Sequence, residues 1–226
     1  MISVLLILAF AGSAAAFNLM DLRNSPLKSL LALQKAAQKH DTEEFQKYIY
    51  LESFIGRVYD DGIAAVAESG SYKLVTYTSM TGIHKLVRPQ IIPYAKKCVL
   101  EHIAGTDKKE TKKPVEKEGI LGSLLDKAAR KKEELIEKFN PANILKETID
   151  FDHSKIKKVA THKKTKEGAI VAVTIYNTEL KQNFVLRLSL EPIGRKGWRV
   201  IEPINFKEYV IAVDRAKKIA LHQTKM

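Results

Sequence analysis

The chain has 226 residues, of which 45% are hydrophobic and 28% are charged, and this composition is typical of a folded globular protein rather than a disordered or low-complexity one. It carries 38 Lys and Arg against 26 Asp and Glu, a formal net charge of +12, which indicates an anionic partner without naming one. The single cysteine, Cys98, excludes an internal disulfide framework and any zinc or iron–sulfur site that needs several cysteines.

The first segment, residues 1–16, has the pattern of a secretory signal peptide. Residues 1–20 carry no charged side chain, and an apolar run at 4–11 is followed by small residues. This pattern favours cleavage between Ala16 and Phe17, and it predicts an exported chain, periplasmic or extracellular. Two alternatives stay open: a retained N-terminal membrane anchor, although a spanning helix needs about 20 apolar residues, and an internal helix.

The following part, residues 17–104, is predicted to be helical. Ser25 is followed by Pro26, an N-cap with proline at the first helical position, and leucine and alanine recur at helical spacing up to His40. Asp41 opens a capping box that predicts a second, short helix. A third helix is predicted over 51–67.

The middle of the chain is less regular. Residues 72–79 are ambiguous, since their alternation also suits a strand, and a further helix is predicted over 88–102. A charged connector is predicted over 105–119, and an amphipathic helix over 120–140. The apolar stripe of that helix favours packing on a sheet, with contact to a membrane surface as the alternative.

The last part changes to alternating apolar and polar residues. The alternation predicts four strands within 155–204, at 156–164, 168–177, 183–191 and 197–204, and a final helix over 206–222. The predicted fold class is α+β: N-terminal helices packed on a four-stranded antiparallel meander with a final helix, in one domain over 17–226.

Several of these motifs resemble an uncharacterised family of small bacterial exported proteins. The resemblance rests on Ser25-Pro26, Leu30, Ala36, Asp41, Phe45, Tyr48-Ile49, the Arg88–Ile92 segment and the strand around Trp198. It implies a fold and an exported location rather than an activity. Where that family often has Asp after its Tyr-Val pair, this chain has Tyr50. Helices on a curved antiparallel sheet are also similar to cystatin-like and nuclear transport factor 2-like folds, many of which hold a pocket between the layers.

The sequence contains three local clusters of acidic or histidine residues and no established catalytic or metal-binding motif. His40-Asp41 and Asp60-Asp61-Gly62 are interpreted as a helix junction and a surface break within the third helix. Asp150-Phe151-Asp152-His153 has the residue types for acid–base work or cation binding, but it is interpreted as a helix-to-strand turn, which uses the same residues to bond its own backbone. No catalytic residue, metal site or cofactor is predicted.

The sharpest candidate for a functional site is a basic run in the first predicted strand. Six lysines occur within the twelve residues 155–166, which contain no acid. They are Lys155, Lys157, Lys158, Lys163, Lys164 and Lys166. Strict alternation places Lys155, Lys157 and Lys163 on one face and the other three on the opposite face. The run is interpreted as an edge strand that hinders pairing with other chains, or as a site for an anionic surface.

Three functions follow from these observations. The first is a non-catalytic exported protein of the cell envelope that binds a protein partner, an anionic envelope polymer or lipid headgroups, with at most peripheral membrane contact. The second is an enzyme or small-ligand binder with a pocket between helices and sheet. The third, a cytoplasmic nucleic-acid binder, requires the N-terminal segment to be an internal helix, and nucleic acid is not predicted because the basic run lacks aromatic residues for base stacking. The sequence carries no signal of oligomeric state.

Overall fold

The computed structural model describes residues 25–68, 74–106, 154–194 and 197–223, without the side chains of Val66, of residues 74–87 and of Gln223. The elements in these ranges are α1 (Pro26–Gln38), α2 (Thr42–Lys47), α3 (Leu51–Glu68), α4 (Leu74–Ile103), β1 (Ser154–Lys164), β2 (Ala169–Asn177), β3 (Gln182–Ile193), β4 (Gly197–Pro203) and α5 (Phe206–Gln223). The fold class is α+β, as predicted.

The four strands form one antiparallel sheet in the order β1-β2-β3-β4, so that each strand pairs with the next along the chain. Their observed bounds differ from the predicted ones by no more than two residues. On β3 the side chains of Phe184, Leu186, Leu188 and Leu190 are buried, and the side chains between them point to the other face. This alternation is typical of a sheet with one face on the core and one toward water.

Polar side chains close the connections at the ends of the strands. In the β1–β2 turn the Thr165 hydroxyl accepts a hydrogen bond from the backbone N–H of Gly168 at 3.1 Å. In the β2–β3 turn Oδ1 of the buried Asn177 accepts the N–H of Leu180 at 2.8 Å. After β4, Asn205 leads into α5, whose N–H at Tyr209 donates to the Asn205 carbonyl at 3.0 Å. The short connections explain why the strands follow one another as a meander.

The helices α1, α3 and α5 pack on the same side of the sheet, α1 mainly on β4, α3 on β4 and α5, and α5 on β3. One hydrophobic cluster joins these helices to the sheet, and its largest fully buried side chains are Phe45, Phe54, Phe206, Leu27, Leu30, Leu33, Ile49 and Ile175. Burial of this apolar surface is the main contribution to the stability of the fold. The other side of the sheet, on which none of the described helices packs, is called the open face below.

The helix α4 departs from the prediction, because it begins at Leu74 rather than near Arg88 and includes both Pro89 and Pro93. A proline removes one helical hydrogen bond and is normally found in the first turn of a helix, and the predicted start at residue 88 would place Pro89 there. Both prolines lie on the exposed side of α4, where water can bond the carbonyl groups left without a partner. The opposite side of α4 is held by burial of Ile91, Ile92, Ala95, Val99 and Ile103.

Residues His40 and Asp41 form a helix junction, as predicted. Asp41 Oδ1 accepts the N–H of Glu44 at 2.9 Å and so caps α2. His40 has a positive φ of 59° and its Nδ1 lies 2.7 Å from the Ile103 carbonyl oxygen, which ties the end of α1 to the end of α4. Gly105, with φ of +68°, ends α4 beside the His40 ring.

Several predicted features lie outside the described residues. They are the signal segment 1–16, residues 107–119 of the charged connector, the amphipathic helix 120–140 and the cluster Asp150–His153. Of the helices that the structure describes, none has both the length and the hydropathy required to span a membrane.

Candidate functional site

In the part of the chain that the structure describes, the basic run forms an edge of the sheet. Among these residues β1 pairs with β2 alone, whereas the other edge, β4, is covered by the segment between α2 and α3. There, the N–H of Val200 donates to the Tyr48 carbonyl at 2.9 Å and the N–H of Tyr50 donates to the Val200 carbonyl at 2.8 Å. The strand order confirms the prediction that the basic run forms an edge strand. Lysine on such an edge hinders pairing with another chain.

Two β-bulges overturn the predicted division of the lysines between the faces. The register shifts between Ile156 and Lys158 and again between Thr161 and Lys163, so that one extra residue is inserted into β1 each time. After each insertion the side chains point to the opposite face from the one that strict alternation predicts for them, until the next insertion. The extra residues are Lys157 and His162.

The register shows which lysines share a face. Lys155 lies opposite Tyr176, Lys158 opposite Thr174 and Lys163 opposite Ile170, and directly opposed residues point to the same face of a sheet. Those three partners alternate along β2 with the buried residues Val171, Val173 and Ile175, so they belong to the open face. Lys155, Lys158 and Lys163 therefore lie together on the open face. The prediction that Lys158 points away from the other two was wrong.

Two further lysines lie over aromatic rings. The Lys157 ammonium is 5.6 Å from the centre of the Tyr176 ring, which places it at the open face with the other three. The Lys164 ammonium is 5.7 Å from the centre of the buried Trp198 ring, and its β2 partner Ala169 is buried, so Lys164 belongs to the covered face. Lys166 lies in the β1–β2 turn.

Four exposed side chains thus follow β1 along the open face and are called the lysine row: Lys155, Lys157, Lys158 and Lys163. Across the rest of the face the charges are mixed. The outward side chains of β2 are uncharged, β3 contributes Arg187 and Glu191, and β4 contributes Arg199 opposite Glu191 and Glu202 opposite Ser189. The positive charge of the open face is concentrated at β1.

A shallow polar cleft of about 200 Å³ lies at the β4 edge of the sheet, where α2, α3, α4 and β4 meet. It is lined by Gln46, Ile49, Tyr50, Leu51, Glu52, Lys96 and Arg199. Arg199 Nε donates to the Lys47 carbonyl at 3.1 Å, and Lys96 Nζ lies 3.9 Å from a Glu52 carboxylate oxygen. None of these residues was predicted as a site, because they are distant in the sequence and meet only through tertiary packing.

The acidic pair Asp60-Asp61 lies within α3, which continues through it, so the predicted break is wrong. Arg88 on α4 donates two hydrogen bonds to Asp60, from Nε at 2.8 Å and from Nη2 at 2.9 Å, and Arg57 Nε donates to Asp61 at 3.0 Å. These hydrogen bonds raise the pKa of both guanidinium groups. Gly56 leaves room for Arg88, since a Cβ there would lie 3.0 Å from Nη2. The two carboxylates are therefore occupied in joining and bracing α3 and α4.

Among the described residues, no group of three or more His, Cys, Asp and Glu side chains is arranged to hold a metal ion. Comparisons of the chain with protein-family models, with curated proteins and with solved structures return no match. The resemblance to small bacterial exported proteins thus stays a prediction from the motifs, and the site is interpreted from its own geometry.

Proposed function

We propose that the chain is a non-catalytic exported protein of the cell envelope that binds an anionic surface through the lysine row. The observation that carries the proposal is the position of Lys155, Lys158 and Lys163 on the open face. Protection of an edge explains why lysines occur in β1, and it is served equally by lysines on either face. It does not explain why the bulged strand places four of the six lysines along one face, where strict alternation would place three.

The expected attraction is large enough to decide where the protein resides. A lysine near an anionic membrane contributes about 1 kcal/mol, so four together contribute about 4 kcal/mol, roughly a thousandfold enrichment. The effect is local, because physiological salt screens charges over about 8 Å. The Glu191–Arg199 pair on the far strands therefore adds little to the field at β1.

A surface role rather than an internal catalytic pocket is supported by the packing between the layers. The alternative function, an enzyme or small-ligand binder, was predicted to use a pocket between helices and sheet. In the described part of the chain this region holds buried side chains such as Leu33, Phe54 and Trp198. The exported location is supported by the signal pattern of residues 1–16.

The proposal is tested by co-sedimentation with vesicles that contain phosphatidylglycerol, against vesicles of phosphatidylcholine alone, and with anionic polymer in a parallel series. The variant Lys155→Gln/Lys158→Gln/Lys163→Gln removes three charges from the open face. The matched variant Lys28→Gln/Lys35→Gln/Lys39→Gln removes three exposed charges in and just after α1. We expect the first variant to lose binding about a hundredfold and the second to lose little.

Equal losses in both variants would mean that the net charge of the whole protein, and not the lysine row, drives binding. Location is tested separately by the intact mass of the protein recovered from its native cells. We expect a mass that lacks residues 1–16, and a full-length cytoplasmic protein would contradict export.

A further inference from the structure

We infer that the anionic partner of the lysine row is a linear polymer that carries phosphate or carboxylate groups along its length. This inference rests on the proposed function and names its partner. Lys155 and Lys163 lie opposite Tyr176 and Ile170, which are six positions apart on β2, so that at about 3.3 Å per residue the row is about 20 Å long. Because the charges follow one strand, they match an extended chain that lies along the sheet edge.

A flat bilayer fits the open face less well. Such a surface would meet the whole face, where Arg187 and Arg199 are offset by Glu191 and Glu202, so that the strands beyond β1 add no net positive charge. Peripheral membrane binding also gains from apolar side chains that enter the headgroup region. Within the four strands the one exposed large hydrophobic side chain is Val185, at 41% exposure on β3. A polymer along β1 contacts only the lysine row and needs no apolar anchor.

A nucleic acid fits less well for a different reason. Binding of single strands without sequence preference uses aromatic rings on which bases stack. The aromatic side chain of β2 on the open face is Tyr176, and the Lys157 ammonium lies over its ring at 5.6 Å. The side chains next to it along β2, Thr174 and Ala172, provide no stacking surface. The face therefore suits a polymer that is recognised by its charges and carries no bases.

The experiment measures binding of fluorescently labelled long-chain inorganic polyphosphate by anisotropy over a series of salt concentrations. We expect the variant Lys155→Gln/Lys158→Gln/Lys163→Gln to bind about a hundredfold more weakly. The slope of log affinity against log salt should become shallower by about two, since three phosphate contacts are lost. The α1 variant with Lys28, Lys35 and Lys39 changed to Gln should keep nearly the wild-type affinity and slope.

An adjacent pair of single variants gives the sharpest control. Lys163→Gln removes a charge from the open face, whereas Lys164→Gln removes the neighbouring charge from the covered face, above Trp198. We expect a several-fold loss of polyphosphate binding for Lys163→Gln and almost none for Lys164→Gln. Trp198 fluorescence shows that each variant is folded. Equal losses would overturn the assignment of the row to the open face.

The length of the polymer is the second test. Pyrophosphate should compete far more weakly than long-chain polyphosphate at the same phosphate concentration, because it reaches only part of the row. Equal competition would indicate a compact anion site and overturn the inference. Tighter binding to phosphatidylglycerol vesicles or to single-stranded DNA than to polyphosphate would also overturn it, and binding to vesicles alone would leave the proposed function standing. If neither vesicles nor polymers bind, the proposed function itself fails.

Discussion

Two serines of the first helix, Ser25 and Ser29, allow a sharp test of how the helices are joined to the sheet. Ser29 Oγ accepts the backbone N–H of Trp198 at 2.9 Å, and both residues are buried. Ser25 is the N-cap residue, yet its side chain makes no capping hydrogen bond, and its buried Oγ has no partner within the described residues. From the sequence, the N-cap residue Ser25 is expected to contribute more to stability than Ser29. In the structure Ser29 makes the hydrogen bond, so the larger contribution is expected from Ser29.

The expected magnitudes follow from this difference. In Ser29→Ala the N–H of Trp198 loses its acceptor in a buried environment, which costs about 1–3 kcal/mol. Alanine has a higher helix propensity than serine, which stabilises α1 by about 0.5 kcal/mol. The free energy of unfolding should therefore fall by about 0.5–2.5 kcal/mol in total. An N-cap serine normally contributes about 1 kcal/mol through its capping bond. That bond is missing at Ser25, so Ser25→Ala should change the free energy of unfolding by less than about 0.5 kcal/mol.

Equilibrium unfolding in urea measures both variants, and the single tryptophan of the chain reports directly on the region of the Ser29 bond. An unchanged m-value in each variant would show that the difference lies in stability and not in the compactness of the unfolded state. A loss of 1 kcal/mol should lower Tm by about 2–4 °C for a protein of this size. If Ser25→Ala is the more destabilising variant, the reasoning from the Ser29 geometry is refuted.

Two further predictions concern Asn205 and the buried tyrosines. Asn205 Oδ1 accepts a backbone N–H of β3 at 2.6 Å and Nδ2 donates to a β3 carbonyl at 3.0 Å, so Asn205→Ala should lower the free energy of unfolding by about 1–2 kcal/mol, and Asn205→Asp, which keeps the acceptor, by about half as much. Equal urea midpoints for the wild type and Asn205→Ala would contradict this. Burial raises the pKa of Tyr209 above its ordinary value, and that of Tyr59 to about 12. The unfolded chain releases these protons near pH 10 while the folded chain keeps them, so stability is fully present below about pH 10 and is lost as the pH rises further. Tyr209→Phe should flatten that loss above about pH 10, and parallel curves for the two proteins would contradict the assignment.

The sheet could be predicted from the sequence because its strands have one face on the core and one face toward water. Phe184 and its partners at every second position are buried against helices, and this requirement leaves a period of two in the sequence. The start of a helix can also be predicted where a side chain caps it, as Asp41 does. Where the local signals are prolines, the prediction fails. The helix predicted over 88–102 starts just before Pro89, whereas the observed α4 begins at Leu74 and continues through both prolines, with Ile91, Ile92 and other apolar residues after Pro89 buried.

The candidate site could be predicted only in part. The lysines and their position in an edge strand could be predicted from the sequence, since charged residues and turn residues are local signals. The face of each lysine was not, because a bulge is defined by the register between two strands and leaves no mark in the composition of one. The cleft beside Tyr50 was missed for a related reason: Lys96 and Arg199 come from different elements and meet only in the folded chain.

The two interpretations of the basic run turn out to be compatible. A bulge interrupts the regular ladder of hydrogen bonds that a second chain would need to pair with β1, and lysine side chains reinforce this protection. The same bulges set Lys155, Lys158 and Lys163 on one face and present Lys157 beside them. A strand protected in this way cannot easily accept another strand, but its side chains stay available to a partner that requires charge and no backbone pairing. Edge protection thus favours an anionic polymer over a β-strand as the partner of the lysine row.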